Sequence, residues 1–323
     1  MTTVLVTGTG AIIGYGVLRS LMGIAGVKTI ATDVQPHAAG QHFADVFVRA
    51  PMTSSPEYEV WLKDIISTHG IDLVIPCIEQ DVSWLADAVT DGKDFDAVLA
   101  LNSPDLIRLS TDKLAFDQAL VDLESPARIT TATDGDFETL RGSLGSTFLL
   151  KPRKGYASKG IVKIASSKDF SPYAHGMGKK YLAQRIVGTE EDEYTVSAFC
   201  IHGEVCATVA MKRHLAPDGS TLRATLVNSD PFSETIGALS AAFSAHGPTN
   251  FQFRVEGDDA YILEINPRIS SATSLRAAFG FNEAMMCLEY FLHGRFINQP
   301  LLRSGCAIRY IEDIVTYDDR THF

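Results

Sequence analysis

The sequence predicts a mixed α/β chain of two or three lobes, with a doubly wound parallel sheet first and hairpin-bearing segments after it. Three observations carry this expectation. Over residues 3–101, short apolar runs alternate with stretches of helical periodicity, the pattern of a parallel sheet with crossover helices. Around residues 148–165 two short strands flank a loop carrying four cations and two glycines. From Asn250 to Ser271 the chain reads NFQFRVEGDDAYILEINPRISS, two alternating runs about a Gly-Asp-Asp turn. At 323 residues the chain exceeds the ~250–300 over which a single core keeps growing.

Composition narrows the function. The chain is 46% hydrophobic and 21% charged, with a net charge of −11, which speaks against a general nucleic-acid or acidic-membrane surface. The five cysteines, Cys77, Cys200, Cys206, Cys287 and Cys306, are scattered and form no CxxC pair. They fit a reducing compartment better than a disulfide framework or a zinc site. The apolar N-terminus lacks a basic flank and is interrupted by glycine, and no run approaches the ~20 apolar residues of a span. The expectation is a soluble cytoplasmic protein.

The first lobe opens on the strand Thr3–Thr7, which runs into Gly8-Thr9-Gly10-Ala11-Ile12-Ile13-Gly14. A helix then carries Val17, Leu18, Leu21 and Met22, and a second strand ends at Asp33. The turn is GxGxxxG rather than GxGxxG. It reads either as a close strand-to-helix turn or as a pyrophosphate cradle with Asp33 on a ribose. A helix is expected over Tyr58–His69, a strand over Ile71–Pro76, a helix over Val82–Val89 and a strand over Ala97–Leu101. Glu79 and Asp81 follow a strand end, where ligands bind in such sheets, so each is a substrate contact or an N-cap.

The middle of the chain starts two helices, at Ser103-Pro104 and at Asp112-Lys113. The strand Thr147–Leu150 leads into Lys151 and the basic loop, the strand Ile161–Ala165 follows, and closing over phosphates suits that loop. Lys180–Ile186 is a strand, and the acidic turn Gly188–Glu193 enters the strand Tyr194–Cys200. In the late hairpin, alternation puts Gln252 and Arg254 on one face, with Phe251, Phe253 and Val255 on the other. On the return strand Glu264 and Asn266 oppose Tyr261, Leu263 and Ile265. A turn centred on Asp258 sets Gln252 directly across from Glu264. Three oxygen-bearing side chains then converge, with Arg268 just beyond, an arrangement suited to Mg²⁺-bound polyphosphate. Ser270 and Ser271 either line the cavity or cap the next helix. Met285, Met286, Leu288, Phe291 and Leu292 read as core at helical spacing, Asn282 or Gly280-Phe281 as that helix's start, and Tyr317–Phe323 as an exposed tail.

The order of these parts, STDKLAF (Ser110–Phe116), FLLKPRKGYASKG (Phe148–Gly160), YLAQRIVGTEEDEYTV (Tyr181–Val196) and NFQF…LEINPRIS, resembles the ATP-grasp superfamily. The likeness is greatest to single-unit proteins of the carbamoyl phosphate synthetase large-subunit-like branch. The resemblance implies an ATP-grasp fold, α/β and α+β. A Rossmann-like pre-ATP-grasp lobe over 1–108 would precede two α+β lobes enclosing the nucleotide, 109–186 with the phosphate lid and 187–323 with the metal site. It implies ATP with Mg²⁺, or Mn²⁺ in its place. Lys113 and Lys151 would contact phosphates and Lys154, Ser158 and Gly160 would belong to the lid. Gln184, Arg185, Ile186 and Val187 would carry the adenine, and Glu193, or else Glu190 or Glu191, the ribose. Gln252, Glu264 and Asn266 would hold the metal, and Arg268 would stabilise the transferring phosphoryl. Lys212 and Arg213 resemble a basic segment near phosphate or substrate, with His214 beside them. Many relatives carry an acid where Gln252 stands here, whereas the carbamoyl phosphate synthetase branch has Gln.

The implied activity is an ADP-forming ligase that activates a carboxylate as an acylphosphate and joins it to an amine. Its partners would be small molecules, with no nucleic acid or membrane, and a homodimer through the N-terminal lobe would suit the family. Two other readings are phosphorylation of bicarbonate or carbamate, and an NAD-dependent dehydrogenase using Gly8–Gly14. The dehydrogenase reading leaves the Lys151 loop, Glu264 and Asn266 without a purpose.

Overall fold

The structure is a computed structural model that describes residues 1–155, 160–216 and 219–315. The first lobe runs β1 (Thr2–Val6), α1 (Ile12–Leu21), β2 (Val27–Asp33), β3 (Val46–Arg49), α2 (Tyr58–His69), β4 (Leu73–Ile75), α3 (Glu79–Thr90) and β5 (Val98–Leu99). Its five strands are all parallel, in the order β3-β2-β1-β4-β5. The strand order reverses beside β1, so the loops after β1 and β4 flank the switch point where a crevice opens. The apolar runs are short and buried on both faces: Leu5, Ile30 and Val74 meet α2 and α3, and Val4, Val6 and Ile75 meet α1.

Next come α4 (Pro104–Ser110), α5 (Lys113–Asp122), β6 (Thr131–Ala132), α6 (Phe137–Leu144), β7 (Phe148–Pro152), β8 (Val162–Ile164), α7 (Ser167–Phe170) and β9 (Tyr181–Arg185). They form a four-stranded antiparallel sheet, β6-β9-β7-β8, backed by α6 and α7 through Phe148, Leu150, Leu140 and Phe170.

The rest is β10 (Glu193–Ile201), β11 (Glu204–Leu215), β12 (Thr221–Val227), α8 (Asp230–Ala242), β13 (Gly247–Glu256), β14 (Asp259–Asn266), α9 (Thr273–Ala278), α10 (Glu283–Cys287) and β15 (Cys306–Ile308). These strands make an antiparallel six-stranded sheet, β14-β13-β10-β11-β12-β15. One face is apolar, with Val196, Ala198, Ala210, Phe251 and Phe253 packed on Phe232, Ile236 and Leu239 of α8. At one end the other face joins the first lobe: Phe199 and Val209 share a core with Val17, Leu18, Phe281 and Met286. That shared core sets the crevice of the parallel sheet against the end of β14. Among the described residues no helix is long and apolar enough to cross a membrane.

Most expected elements are present. The hairpin pairs Gln252 with Glu264 as expected, but its turn is Gly257-Asp258 between the paired Glu256 and Asp259 rather than one centred on Asp258. A β-bulge between Gln252 and Phe253 corrects the facing of the return strand. Phe253 pairs with Ile262, which is buried in the core, while Leu263 turns to a cavity and Tyr261 pairs with Arg254. Asn282 caps α10 by accepting the Met285 N–H (3.1 Å), and that helix continues as a π-turn over Leu288–Leu292. The tail expected to be exposed, Tyr317–Phe323, lies outside the described residues.

Candidate active site

A cavity of about 520 Å³ lies where the three sheets meet, within the range of small-molecule sites. Its best-organised wall is the polar face of the six-stranded sheet. Alternation and register put Glu193, Thr195 and Ser197 of β10 on the side that carries Arg213 of β11, Asn250 and Gln252 of β13, and Glu264 and Asn266 of β14. Asn266 Nδ2 donates to Glu264 Oε1 (3.1 Å), and Arg213 Nη2 donates to Gln252 Oε1. Beyond β14, Arg268 Nη2 donates to Asn266 Oδ1 (3.2 Å) and Nε to Glu79 Oε1 (3.1 Å). Gln252, Glu264, Asn266 and Arg268 thus share one wall.

Lys113 and Lys151 line the cavity too, together with Lys154. Lys113 opens α5, whose N-cap Asp112 accepts the Leu114 and Ala115 N–H groups (3.0 and 3.4 Å). Arg153, at the end of β7, grips Asp112 with Nε (2.8 Å) and Nη2 (2.7 Å), and the Lys113 N–H donates to the Arg153 carbonyl (3.0 Å). Helix start and strand end are therefore fastened together, which fixes the two lysines relative to each other. Burial pushes the Lys151 ammonium down to about 8, while the nearby Glu264 carboxylate pulls the other way. A charge held in that environment is poised to gain from an anionic ligand. Lys113 Nζ meanwhile donates to the Gly155 carbonyl (2.9 Å).

Between these walls is an apolar slot of Phe116, Leu120, Ile129, Leu182, Ile262 and Leu263, edged by Gln184, whose Nε2 donates to Thr131 Oγ1 (3.0 Å). A flat, largely apolar ring fits such a slot. Sequence reasoning missed it: Phe116, Leu182, Ile262 and Leu263 lie inside quoted stretches, but with Leu120 and Ile129 they come from separate parts of the chain with no shared spacing.

Several expected residues stand elsewhere. Lys212 is corrected: strand parity turns it to the outer face, onto Asp192 (3.3 Å) and over the Tyr194 ring (5.6 Å), while its neighbour Arg213 lines the cavity. Glu193 is buried and engaged by Arg213 (2.6 Å) and Arg254 (3.2 Å), so its carboxylate is committed within the sheet and is off the cavity wall. Glu191 pairs with His214 (3.1 Å). Arg185 reaches Glu256 (2.8 Å) and covers the Tyr261 ring, and Ile186 and Val187 do not line the cavity. Gly160 borders a separate shallow basic pocket with Lys179 and Lys180. Ser158 lies outside the described residues.

The first lobe supplies the third side. Asp33 accepts the N–H groups of Gly10 (2.7 Å) and Gln35 (2.8 Å), so it ties the glycine loop rather than facing a ribose. A Cβ at Gly14 would sit 2.5 Å from the Gly8 carbonyl, which requires glycine for the close strand-to-helix turn. Of the two acids after β4, neither caps α3; its N-cap is Ile78. Glu79 enters the cavity, whereas Asp81 is buried on Tyr58 (3.1 Å) and Thr53, where burial raises its pKa. Ser270 and Ser271 line the cavity instead of capping α9. Ser270 also belongs to a polar cluster beneath it. The buried Arg276 pairs with the buried Glu283 (2.9 Å), Glu283 accepts from Ser197 (2.6 Å), and Asn250 Oδ1 accepts from Thr195 (2.7 Å), Ser270 (3.1 Å) and Arg276 (3.1 Å).

The oxygen set fits a hard divalent cation that shares its coordination with a ligand. Glu264 would supply one carboxylate, and Gln252 and Asn266 would supply amide oxygens that Arg213 and Arg268 engage here. Among the described residues no group of three His, Cys, Asp or Glu could hold a metal unaided.

Residues 187–314 match the family model described as ATP-grasp in the biosynthetic pathway with Ter operon, and residues 15–97 match the PylC-like N-terminal domain. Among solved structures, N5-carboxyaminoimidazole synthetase from Staphylococcus aureus complexed with ADP is similar with a TM-score of 0.74 at 13% identity, over 93% of this chain and 80% of that one. The biotin carboxylase domain of the Hydrogenobacter thermophilus 2-oxoglutarate carboxylase, in complex with MgADP, ADP and bicarbonate, gives 0.71 at 13% over 94% and 73%. The L-amino acid ligase from Bacillus licheniformis gives 0.66 at 14% over 94% and 73%. At these identities the likeness is one of fold.

Proposed function

From the premise that this chain is an ATP-grasp protein, we propose that it is an ATP- and Mg²⁺-dependent ligase joining a carboxylate to an amine, with release of ADP and phosphate. The observation that carries the reading is the convergence of Lys113, Lys151, Gln252, Glu264, Asn266 and Arg268 on one cavity beside an apolar slot. The slot takes the adenine, and Lys113, Lys151 and Lys154 bind the polyphosphate. Gln252, Glu264 and Asn266 would hold Mg²⁺, which when bound neutralises phosphate charge. A carboxylate oxygen attacks the γ-phosphorus and ADP leaves. The amine then attacks the acyl carbon of the acylphosphate, phosphate departs, and the nitrogen loses its proton. Arg268 offsets the charge that develops on the transferring phosphoryl. Positioning and charge neutralisation carry this chemistry, and no covalent enzyme intermediate is needed.

The test is thermal stability with Mg²⁺ alone, ATP alone, Mg·ATP and NAD. A ligand at ~100 times its Kd adds about 2.7 kcal/mol, enough to move the midpoint. Mg·ATP should shift it and Mg²⁺ alone should not, because one carboxylate is too little charge to hold the metal without phosphates. A shift with NAD and none with Mg·ATP would overturn the reading.

A further inference from the structure

Within the cavity one ion pair joins two lobes 189 residues apart in the chain. Arg268 gives Nε (3.1 Å) and Nη2 to Glu79 Oε1, and Nη1 to the Ile269 carbonyl (3.0 Å). All three guanidinium nitrogens are thus engaged, and the carboxylate that engages two of them comes from the substrate side of the cavity. Both side chains are largely sheltered, 13% and 29% exposed, so the pairing is weakly screened. The other acids on the wall are differently placed: Asp117 is held bidentate by Arg128 (2.9 Å for each bond), and Glu264 stands among the amides. On the wall made by the first lobe, Glu79 is the one charged side chain among the described residues; its neighbours there are Ala11, Ile12, Ile13, Cys77, Ile78 and Gln80.

An arginine fully paired with a carboxylate has little left to give a transferring phosphoryl, and the same carboxylate repels the γ-phosphate. A wall with one acid and no base favours a cation and disfavours a phosphorylated or otherwise anionic amine. We propose that Glu79 ties up Arg268 until the ammonium group of a non-phosphorylated amine substrate takes over its carboxylate. Phosphoryl transfer is thereby coupled to the presence of the amine. The exchange of ion-pair partners forms and breaks no covalent bond, and the ammonium releases a proton to solvent before its nitrogen attacks the acyl carbon. It deepens the ligase reading above and rests on it.

The experiment measures ADP release from Mg·ATP with neither amine nor carboxylate added, water being the phosphoryl acceptor, in wild type, Glu79→Gln, Glu79→Ala and the double variant Glu79→Gln/Arg268→Gln. Freeing Arg268 should raise release at least about tenfold in both single variants, a small part of the ~10³–10⁵ that an arginine at the phosphoryl contributes. The double variant should fall back to the wild-type level or below. A purely structural role for Glu79 cannot raise the rate, so release equal to or below wild type in the folded single variants overturns the proposal. A rise that persists in the double variant overturns it as well. Loss of the Mg·ATP thermal shift in wild type would instead sink the ligase reading itself, which keeps the two failures apart.

Discussion

The carboxyl edge of the parallel sheet and the polar face of the antiparallel sheet meet across one cavity, and they are built by opposite means. At the parallel edge, backbone makes the contour: the glycine loop is tied down by Asp33, and among the described residues Glu79 is the only charge it offers to the cavity. On the antiparallel face, side chains fix one another in two runs, one from Arg254 through Glu193 and Arg213 to Gln252 and one from Glu264 through Asn266 to Arg268, set side by side by the pairing of Gln252 with Glu264. The lattice holds charges in one geometry, which phosphoryl chemistry requires. The backbone wall leaves room, which recognition of one substrate among many requires.

The sharpest way to break that contrast is Glu264→Gln. We predict at least a hundredfold loss of ADP formation with an unchanged circular dichroism spectrum, since losing the metal ligand proposed above would cost several kcal/mol of transition-state stabilisation. Turnover surviving within about tenfold would mean that the face is merely polar. Next in size, Arg213→Met leaves Glu193 buried with one partner, and urea unfolding should show a loss of about 3 kcal/mol.

A smaller effect concerns Lys151, whose folded value near 8 lies below its ordinary 10.5. Between those values the unfolded chain holds the proton more firmly, so the folded state gains stability as pH rises from about 8 to 10.5 and carries the full penalty below 8. Without metal or nucleotide, the melting midpoint of wild type should therefore climb a few degrees relative to Lys151→Met between pH 7.5 and 10. A flat difference would show that Lys151 is not desolvated. The smallest effect belongs to Lys212→Met, about 0–1 kcal/mol, because its ion pair is on the outer face. Equal costs at Lys212 and Arg213 would erase the distinction between the two faces.

Those neighbours also show how far sequence reaches. The pairing of Gln252 with Glu264 matches the expectation for a different reason: the turn is Gly257-Asp258, one residue shorter than a Gly-Asp-Asp turn, and the bulge at Gln252 restores the register. Lys212 and Arg213 sit on β11, a strand that sequence reading did not mark, and without a register there is no parity. A residue gained at a bulge likewise carries no residue-type signal, so Leu263 was placed opposite its true side. Parallel strands and their helices were legible from periodicity. Which acid after β4 enters the cavity was not, because Asp81 is claimed by Tyr58 and Thr53 from a distant segment.

The cluster around Asn250 bears on synthesis. Its oxygen collects donors from Thr195, Ser270 and Arg276, and Arg276 in turn needs Glu283. While the chain is being made, β10 and β13 leave the ribosome ahead of that glutamate. Until residue 283 emerges, Arg276 and Ser197 lack the carboxylate they bond, and α1 has no α10 to lean on. The nascent first lobe must therefore wait with one apolar flank uncovered, the interval in which a holding chaperone would matter most.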